Sequence, residues 1–473
     1  MPDIFYEIIK KSKNKNQLMI ADQNYKYSDF FLDVDKDLEF LKKKVKEKEV
    51  ICFCSSYSKS FISMIFAAYQ NKNVITFANP NIKKRELIHI INDSAASLVF
   101  FENSINLDIS NKKIKEYSNF RYYLSKKKNT CIKSGDIFII YTSGTTRQPK
   151  GAILTLKSIS KNVSAIADNF NLNSNSSTVI FSPPAYAMGI SQILSFMCVS
   201  GKFILYNNGL KFPNEIINLI LKFKLNHLNI SLSAFRILLK YNIYKKNFYF
   251  VKTVSFGGMQ VVQNDINLYK KVFPRSNLIN FYGCTENSPR ISHFKIDINK
   301  NYKICPVGKP LKGVKVRILK SKKDKNLFGK VIVSGSSLMR RYNKISLSSF
   351  SKNSFYTGDL GYFDEKRDLV IIGRDDFSFR VGHEKLCPEE VEAIIKKKLN
   401  YNQLIISKKK HEVLNWIPVL IINKRKKINF KNLTSYLDKN IANYKIPKEL
   451  FYVNKIPLTH YGKINRLQIL KKL

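Results

Sequence analysis

The stretch "IIYTSGTTRQPKGAIL", residues 139–154, is the most informative part of this sequence. It begins with apolar residues that predict a buried strand. Residues 141–151 then contain two glycines, five hydroxyl side chains and two cations. Backbone N–H groups and hydroxyls in such a loop can hold an anion, and a nearby lysine adds a positive charge. The stretch therefore indicates a phosphate-binding loop at the end of a strand.

This loop does not follow the Walker pattern. Gly144 is not followed, five residues later, by the Gly-Lys-Ser/Thr sequence that the Walker loop requires. Considered alone, the stretch fits a solvated turn equally well, because small and hydroxylated residues are common in both. The choice between the two depends on the rest of the chain.

Length and composition describe a globular protein. The chain has 473 residues, 44% of them hydrophobic and 12% aromatic, which suits two or three domains with real cores. No apolar run approaches the roughly 18 residues of a spanning helix, and the N-terminus has no apolar signal segment. We therefore expect a cytoplasmic protein without a transmembrane segment. The cysteines have no disulfide or zinc spacing and are expected to be reduced thiols. They are Cys52, Cys54, Cys131, Cys198, Cys284, Cys305 and Cys387.

The formal net charge of +46 is typical of nucleic-acid-binding proteins. However, lysine supplies 67 of the 81 cations, the other 14 being arginine, and the lysines are spread along the whole chain. Specific nucleic-acid recognition favours arginine, which binds bases through two parallel hydrogen bonds. We therefore expect a solvated basic surface and no specific nucleic-acid partner. Attraction of nucleotides, an acidic carrier protein or an anionic membrane remains open.

The order of predicted elements indicates an α/β fold. Strand and helix patterns alternate through residues 50–104, which favours a mostly parallel sheet with helices on its faces. The expected strands are "VICFCS", "NVITFA" and "AASLVFFE", and the expected helices are "FISMIFAAYQ" and "KKRELIHIINDS". The composition changes near residue 373. We predict a large N-terminal domain of helix-flanked, mainly parallel sheets over 1–373 and a small mobile α+β domain over 374–473.

Five segments in sequence order resemble motifs of the adenylate-forming superfamily. This superfamily includes acyl-CoA synthetases, adenylation domains of peptide synthetases and beetle luciferases. The opening stretch resembles its phosphate loop almost residue for residue. The other segments are "INFYGCTE" at 279–286, "FYTGDLG" at 355–361, "GRDDFSFR" at 373–380 and "IPLTHYGKINR" at 456–466. The resemblance implies an AMP-forming acid–thiol ligase, which joins ATP and a carboxylic acid into an acyl-adenylate and releases pyrophosphate.

The resemblance also implies a role for individual residues. Thr285 would contact the α-phosphate, and Glu286 would bind Mg²⁺, a cation that prefers carboxylate oxygen. Tyr282 would stack on the adenine, and Asp359, assisted by Arg374, would accept hydrogen bonds from the ribose. The residues implied to hold the phosphates of ATP are Thr142, Ser143, Gly144, Thr145, Thr146 and Lys150.

Two further residues are implied to act in the small domain. Lys463 resembles the catalytic lysine of the superfamily, which neutralises charge while the carboxylate attacks the α-phosphorus. Asp376 matches the hinge position about which the small domain rotates, so that a thiol can reach the adenylate.

The segment at 181–194 resembles the acid-pocket helix of the superfamily, which often carries histidine where this chain has Tyr186. Relatives that activate amino acids place an aspartate near this helix, because a buried ammonium group needs a partner. The segment contains no carboxylate. We therefore expect a fatty, aryl or other amine-free acid. Further candidates for the pocket wall are Phe235, Phe256, Gly257, Gly258 and Met259.

The acceptor of the acyl group is less well defined by the motifs. His383 stands where relatives usually have glycine, so the sequence supports adenylation more directly than thioester formation. The favoured interpretation is an acid–CoA ligase that uses ATP, Mg²⁺ and CoA. The alternatives are an enzyme that loads the phosphopantetheine of a carrier protein, a catalytically silent scaffold protein, and a nucleic-acid-binding protein.

Overall fold

The computed structural model describes most of the chain, in ranges separated by short gaps. The described residues are 3–12, 18–21, 23–82, 84–102, 105, 113–125, 132–142, 149–320, 328–344, 350–351, 353–381, 384–411, 415–458 and 464–470.

The first part of the chain alternates strands with helices, as the sequence predicts. Its elements are α1 (Ile4–Ser12), β1 (Leu18–Ala21), β2 (Gln23–Lys26), α2 (Tyr27–Lys44), β3 (Val50–Cys54), α3 (Lys59–Gln70), β4 (Val74–Ala78), α4 (Lys84–Ser94), β5 (Leu98–Phe101), β6 (Lys115–Tyr117), β7 (Phe120–Leu124) and β8 (Asp136–Thr142). Strands β3, β4 and β5 are buried along their whole length, because their continuous apolar runs are covered on both faces.

The middle part continues the alternation and then turns to strands alone. Its elements are β9 (Lys150–Thr155), α5 (Leu156–Asn169), β10 (Ser177–Ile180), α6 (Ala187–Met197), β11 (Lys202–Leu205), α7 (Pro213–Lys222), β12 (His227–Asn229), α8 (Leu232–Lys240), β13 (Thr253–Gly257), α9 (Gln263–Val272), β14 (Asn277–Gly283), β15 (Arg290–Lys295), β16 (Lys309–Pro310), β17 (Val314–Leu319), β18 (Gly329–Gly335) and β19 (Arg341–Tyr342). Helix α5 begins with a capping box between Thr155 and Ser158.

The last part is smaller and mixed. Its elements are β20 (Phe350–Ser351), β21 (Ser354–Phe363), β22 (Leu369–Arg374), β23 (Phe379–Val381), β24 (Glu384–Leu386), α10 (Pro388–Leu399), β25 (Leu404–His411), β26 (Asn415–Asn423), α11 (Phe430–Asp438), β27 (Glu449–Val453) and α12 (Arg466–Leu470). Helix α10 has proline in its first turn, acidic residues beside it and three lysines in its last turn, in agreement with the helix dipole.

The largest sheet has the strand order β19-β9-β8-β4-β3-β5-β7-β6. Its centre is parallel, since β3 pairs in parallel with β4 and β5, and β4 pairs in parallel with β8. Its outer strands are antiparallel. The phenylalanines of the core pack against it, with the rings of Phe53 and Phe100 stacked at 5.0 Å. A second sheet has the order β10-β11-β1-β2.

A third sheet positions the candidate site and has the order β12-β13-β14-β15-β16. Strands β12, β13 and β14 are parallel, and β15 and β16 are antiparallel additions. Helices α7, α8 and α9 cover one face through an apolar cluster. Helix α5 packs on the other face, where its Ile166 and the following Phe170 belong to the same cluster as Ile279 and Ile291. Ligands in α/β proteins bind beyond the carboxyl ends of parallel strands, which here include Gly257 and Gly283.

The fold class predicted from the sequence is confirmed, with one addition. A fourth sheet, β17-β18-β21-β20 with β22 beside β21, is antiparallel. The strand and helix alternation of residues 50–104 gave no indication of it. Among the described residues, no helix has the length and apolar character needed to cross a bilayer.

The C-terminal part has its own apolar cluster. Strands β25, β26 and β27 form a three-stranded sheet, and the hairpin of β23 and β24 precedes it. Helices α10 and α11 contribute Val391, Ile395 and Leu437 to a cluster that includes Leu404 and Leu420. This separate apolar cluster agrees with a division of the chain into two domains at residue 374. The division stays a prediction.

A buried ion pair joins helix α10 to the C-terminal tail. Glu392 is 2% exposed and accepts hydrogen bonds from Arg466 Nη2 at 2.6 Å and from the backbone N of Ile406 at 2.8 Å. Burial alone would raise the pKa of Glu392, but the charges of Arg466 and Lys396 hold this pKa below its ordinary value. The tail is therefore anchored by charge inside the protein.

We predict that Glu392→Ala destabilises the C-terminal part by roughly 3 kcal/mol, because the substitution leaves Arg466 buried without its closest partner. Unfolding in urea can be followed by the fluorescence of Trp416, the single tryptophan of the sequence, which lies in β26. Glu449→Ala removes the exposed partner of Lys409 and should cost less than about 0.5 kcal/mol. Equal losses of unfolding free energy in Glu392→Ala and Glu449→Ala would contradict the stabilising role of the buried ion pair between Glu392 and Arg466.

Candidate active site

The turn after strand β14 carries three of the predicted site residues. Tyr282 is the penultimate residue of β14, and Thr285 and Glu286 lie in the short 3-10 turn Thr285–Asn287 that follows. Because β13 and β14 are parallel, this turn stands at the edge where a ligand is expected. The motif at 279–286 therefore folds as a strand whose end presents an aromatic ring, a hydroxyl and a carboxylate.

Tyr282, Asp359 and Arg374 form one polar cluster. The Tyr282 hydroxyl donates a hydrogen bond to Asp359 Oδ2, and Arg374 Nη1 lies 3.2 Å from Asp359 Oδ1. Asp359 and Arg374 are register partners on β21 and β22, which explains their proximity. Burial raises the pKa of Asp359, and the charge of Arg374 and the hydrogen bond from Tyr282 partly oppose that rise. The cluster joins the third sheet to the fourth.

Glu286 is buried and receives a hydrogen bond from Tyr342. The Tyr342 hydroxyl donates to Glu286 Oε1 at 2.7 Å, and the backbone N of Met339 donates to the Glu286 carbonyl at 2.7 Å. Burial and the nearby Glu286 charge raise the pKa of Tyr342, so this hydroxyl keeps its proton at neutral pH. Tyr342 pairs in register with Ala152 on β9, and the turn is thus tied to the largest sheet.

The two ends of the predicted phosphate loop lie side by side. Thr142 ends β8 and pairs in register with Lys150, the first residue of β9. The Thr142 hydroxyl donates to the carbonyl of Lys150 at 3.4 Å. Since β9 also pairs with the strand that carries Tyr342, both ends of the loop belong to the sheet that holds Glu286 in place. Four predicted phosphate-binding residues lie outside the described residues: Ser143, Gly144, Thr145 and Thr146.

Lys463, the predicted catalytic lysine, also lies outside the described residues, but its flanks are placed. Leu458 and Ile464 form an antiparallel bridge, and the backbone N of Asn465 donates to the carbonyl of Pro457 at 2.8 Å. Residues 457–458, before the lysine, therefore lie beside residues 464–465, after it. Arg466, three residues later, is the anchor of the segment on helix α10.

The predicted hinge follows strand β22 directly. Asp376 lies in the 3-10 turn Asp375–Phe377, and its Oδ2 is 3.0 Å from Arg374 Nη2. Arg374 thus contacts Asp376 and the buried Asp359 at the same time. Asp375 Oδ2 accepts a hydrogen bond from the Tyr356 hydroxyl at 2.6 Å. Because Tyr356 belongs to β21, this hydrogen bond ties the turn Asp375–Phe377 to the antiparallel fourth sheet. His383 lies outside the described residues.

Three of the predicted acid-pocket residues, Gly257, Gly258 and Met259, lie at the end of strand β13 and directly after it. A Cβ atom on Gly257 would stand 2.5 Å from the carbonyl oxygen of Phe281, so this close approach requires glycine. Gly258 has φ +81°, which also favours glycine, and Met259 comes next. Tyr186 stands at the N-terminus of α6, directly before Ala187. Gly257 and Phe281 pair across β13 and β14 at the carboxyl edge.

Two other candidates for the pocket wall lie elsewhere. Phe235 and Phe256 are fully buried, and their rings stack on the Tyr269 ring at 3.7 and 4.4 Å. Phe256 points to the opposite face of β13 from Gly257, because side chains alternate along a strand. Both phenylalanines therefore belong to the core under helices α8 and α9.

Sequence reasoning missed two residues of this region, Tyr342 and Arg290. Tyr342 lies outside every recognised motif, and its contact with Glu286 depends on strand pairing. Arg290 is buried beside the site, four residues after Glu286. The sequence could have singled out Arg290, because arginine is scarce in this lysine-rich chain. An arginine in place of lysine indicates that its planar group makes directed contacts.

The fold and this cluster define a nucleotide-binding enzyme of the α/β class. A family model described as AMP-binding enzyme matches residues 5–343, and the chain belongs to that family. The predicted superfamily and the predicted class of enzyme, an AMP-forming acid–thiol ligase, are thereby confirmed.

Several curated relatives are similar over most of the chain. A 2-succinylbenzoate–CoA ligase of Listeria monocytogenes is 26% identical over 435 residues, which cover 89% of this chain and 88% of the relative. Bacitracin synthase 2 of Bacillus licheniformis is 23% identical over 500 residues, 98% of this chain and 19% of that much longer protein.

Two solved structures share the fold at low identity. o-Succinylbenzoate CoA synthetase of Bacillus subtilis, in complex with an acyl-adenylate intermediate, aligns with a TM-score of 0.81 at 18% identity. ATP-bound MatB of Rhodopseudomonas palustris aligns with a TM-score of 0.83 at 17% identity. Each comparison covers 99% of this chain and 98% of the other.

We predict that Tyr282→Phe lowers the free energy of unfolding by about 1 kcal/mol, because the buried Asp359 loses a hydrogen-bond donor. Differential scanning calorimetry measures the change. Tyr244→Phe, which removes an exposed hydroxyl that donates to Asn242, is the control and should leave the transition unchanged. A Tyr282→Phe protein that unfolds at the wild-type temperature would contradict the stabilising role of this contact.

Proposed function

We propose that this chain activates a carboxylic acid with ATP and Mg²⁺ and then transfers the acyl group to the thiol of coenzyme A. The observation that carries the proposal is the convergence of Tyr282, Asp359, Glu286 and both ends of the phosphate loop at one edge of the sheets. The printed names of the relatives support the cofactors, since they include CoA ligases and a structure with ATP and magnesium ion.

The donor set suits the proposed ligands. Glu286 offers a buried carboxylate, a ligand that Mg²⁺ accepts, and the Tyr342 hydroxyl fixes its orientation. Asp359 engages Tyr282 and Arg374 with one oxygen each. Because an ionised carboxylate has about four acceptor positions, both oxygens can also accept hydrogen bonds from the ribose hydroxyls. Tyr282 would face the adenine, and Thr285 would contact the α-phosphate.

The reaction proceeds in two steps. In the first, a carboxylate oxygen of the acid attacks the α-phosphorus of ATP, and the bond to pyrophosphate breaks. Lys463 and Lys150 would neutralise the charge that builds on the phosphate oxygens, with the loop residues 142–146 as further donors. In the second step, the thiol attacks the acyl carbon and AMP leaves. We propose that the small domain, 374–473, rotates about Asp376 between the steps.

The environment of the acid favours an amine-free substrate. No aspartate or glutamate lines the cavity beside α6 and β13, as far as the described residues show. A substrate ammonium group buried there would have no counter-charge, which is costly. A fatty, aryl or other acid without an amine is therefore proposed as the substrate class.

A carrier protein is the second candidate acceptor. The superfamily that the motifs resemble includes adenylation domains of peptide synthetases, and the similarity to bacitracin synthase 2 covers 98% of this chain. The pantetheine thiol of a carrier is chemically the same as that of CoA, so the two acceptors differ in size and surface rather than in the reacting atoms.

The deciding experiment measures pyrophosphate release from MgATP across fatty, aryl, short-chain and amino acids, with and without CoA. We expect release with an amine-free acid and an acyl-CoA product detected by mass. Release of pyrophosphate without formation of an acyl-CoA would favour a carrier protein as the acceptor. No pyrophosphate with any acid would contradict the proposed activity.

We predict that Lys463→Ala slows pyrophosphate release by at least about 100-fold, because the developing charge loses a positioned cation. ATP binding, measured by calorimetry, should change little, since the loop and the Asp359 cluster remain. Lys455→Ala removes an exposed lysine of the same tail and serves as the control. Pyrophosphate release by Lys463→Ala at nearly the wild-type rate would contradict the catalytic role of Lys463.

We predict that Tyr342→Phe raises the Mg²⁺ concentration for half-maximal activity by about tenfold, because Glu286 loses the hydrogen bond that orients it. A magnesium titration at saturating ATP measures the effect. Tyr206→Phe removes a matched tyrosine–glutamate hydrogen bond, to Glu215, and should leave the magnesium requirement as it is. An unchanged requirement in Tyr342→Phe would rule out this positioning role.

A further inference from the structure

Arg290 is a buried arginine held firmly beside the candidate site. It begins strand β15 and is 5% exposed. Its backbone N donates to Asn162 Oδ1 at 3.2 Å, and its carbonyl accepts from Asn162 Nδ2 at 2.7 Å and from Asn287 Nδ2 at 2.8 Å. The start of the strand, and therefore the origin of the side chain, has a fixed position.

The guanidinium of Arg290 lacks a counter-charge within the described residues. Its Nε and Nη1 are buried and have no hydrogen-bond partner there. The guanidinium carbon lies 3.7 Å from the ring centre of Phe281 and 4.9 Å from that of Phe170. Burial lowers the pKa of Arg290 to about 9, so the group is still charged at neutral pH. Cation–π contacts offset only part of the cost of a buried charge.

Arg290 also lines a small cavity whose accessible wall is mostly apolar. The wall also includes Ser191, Gln192 and Ser195 from α6, and Ser255 from β13, and no acidic side chain among the described residues. The space for the centres of water-sized molecules is about 30 Å³, which suits two water molecules or one carboxylate group. Arg290 and several uncharged hydrogen-bonding side chains thus stand among apolar residues around a space of the size of a small anion.

The cavity shares strand β13 and helix α6 with the predicted acid pocket. Ser255 and Gly257 lie on the same face of β13, because alternate side chains share a face. Gly257 packs against the Phe281 ring, and the same ring contacts the Arg290 guanidinium. Gln192, on the predicted acid-pocket helix α6, lies on the opposite wall. The far end of an acid bound beside Gly257 would therefore be directed toward Arg290.

We propose that Arg290 binds a second carboxylate of the substrate, so that the protein activates dicarboxylic acids. This proposal rests on the proposed function and names its substrate class. One carboxylate reacts at the α-phosphate, and the other pairs with the unpartnered N–H groups of Arg290. Arginine holds a carboxylate through parallel hydrogen bonds in the plane of the guanidinium, while the two phenylalanine rings contact the group.

The experiment compares acids in matched pairs. Succinate, glutarate, adipate and 2-succinylbenzoate are each tested beside the analogue in which the far carboxylate is a carboxamide. Pyrophosphate release by the wild-type chain is measured with MgATP. We expect kcat/KM for the best diacid to exceed that of its monoamide by about 100-fold, because the amide leaves the buried charge unpaired.

The outcomes separate the two proposals. Equal rates with diacid and monoamide, or faster release with the monoamide, would overturn the role of Arg290 and leave the proposed function standing. No pyrophosphate with any member of the pairs, together with release from a fatty or aryl monoacid, would overturn this inference and leave the proposed function standing. No pyrophosphate with any acid of the wider panel would contradict both. All of these results come from the wild-type chain and are independent of how well a variant folds.

Variants then assign the preference to Arg290. Arg290→Gln should reduce the ratio of diacid to monoamide kcat/KM by at least about 30-fold, mainly through KM, and Arg290→Lys should restore part of it. Arg236→Gln is the matched control, because Arg236 pairs with Asp265 at 2.9 Å on the other side of the sheet. A purely structural role of Arg290 predicts the same ratio in all variants and would refute the inference.

Discussion

The contact between Tyr282, Asp359 and Arg374 holds the candidate active site together. It joins the end of a parallel strand to two antiparallel strands that follow it by some eighty residues in the chain. A buried carboxylate without donors would be unstable, so the two sheets must meet with this geometry. The hydroxyl and the guanidinium satisfy the carboxylate and leave acceptor positions for the proposed ribose hydroxyls. In the proposed function, stability and ligand recognition use the same three side chains.

The sequence predicted the parallel centre of the fold because its information is local. Continuous apolar runs such as 50–54 and 74–78 lie in buried strands, and the glycine- and hydroxyl-rich stretch after β8 begins where the strand ends. Contacts between distant segments carry no such local signal. The hydrogen bond from Tyr342 to Glu286 depends on how β19 pairs with β9, and no motif encodes that pairing. The same limit applies to Phe235, which an apolar pattern assigns equally to a pocket or a core.

Arginine and lysine have different uses in this protein. The formal charge of +46 comes mostly from lysines, which are exposed in large part and hydrated. Two arginines stand at positions with little exposure, where their planar group makes several directed contacts: Arg290 lies between aromatic rings and a cavity, and Arg466 holds two glutamates. A basic surface of this kind attracts anions in general, and the proposed selectivity of this protein rests on a single arginine, Arg290.

Arg374 contacts Asp359 on one side and Asp376 on the other. A turn of the backbone at Asp376 stretches one of these two ion pairs and leaves the other in place. By thermodynamic linkage, any molecule that draws Asp359 away from Arg374 changes the preferred backbone arrangement at Asp376, and the reverse also holds. If the nucleotide binds Asp359 and the chain rotates at Asp376, as proposed, occupancy of the nucleotide site and the orientation of residues 374–473 are coupled quantities. A single guanidinium shared by two carboxylates would then link each stage of the reaction to a preferred backbone arrangement.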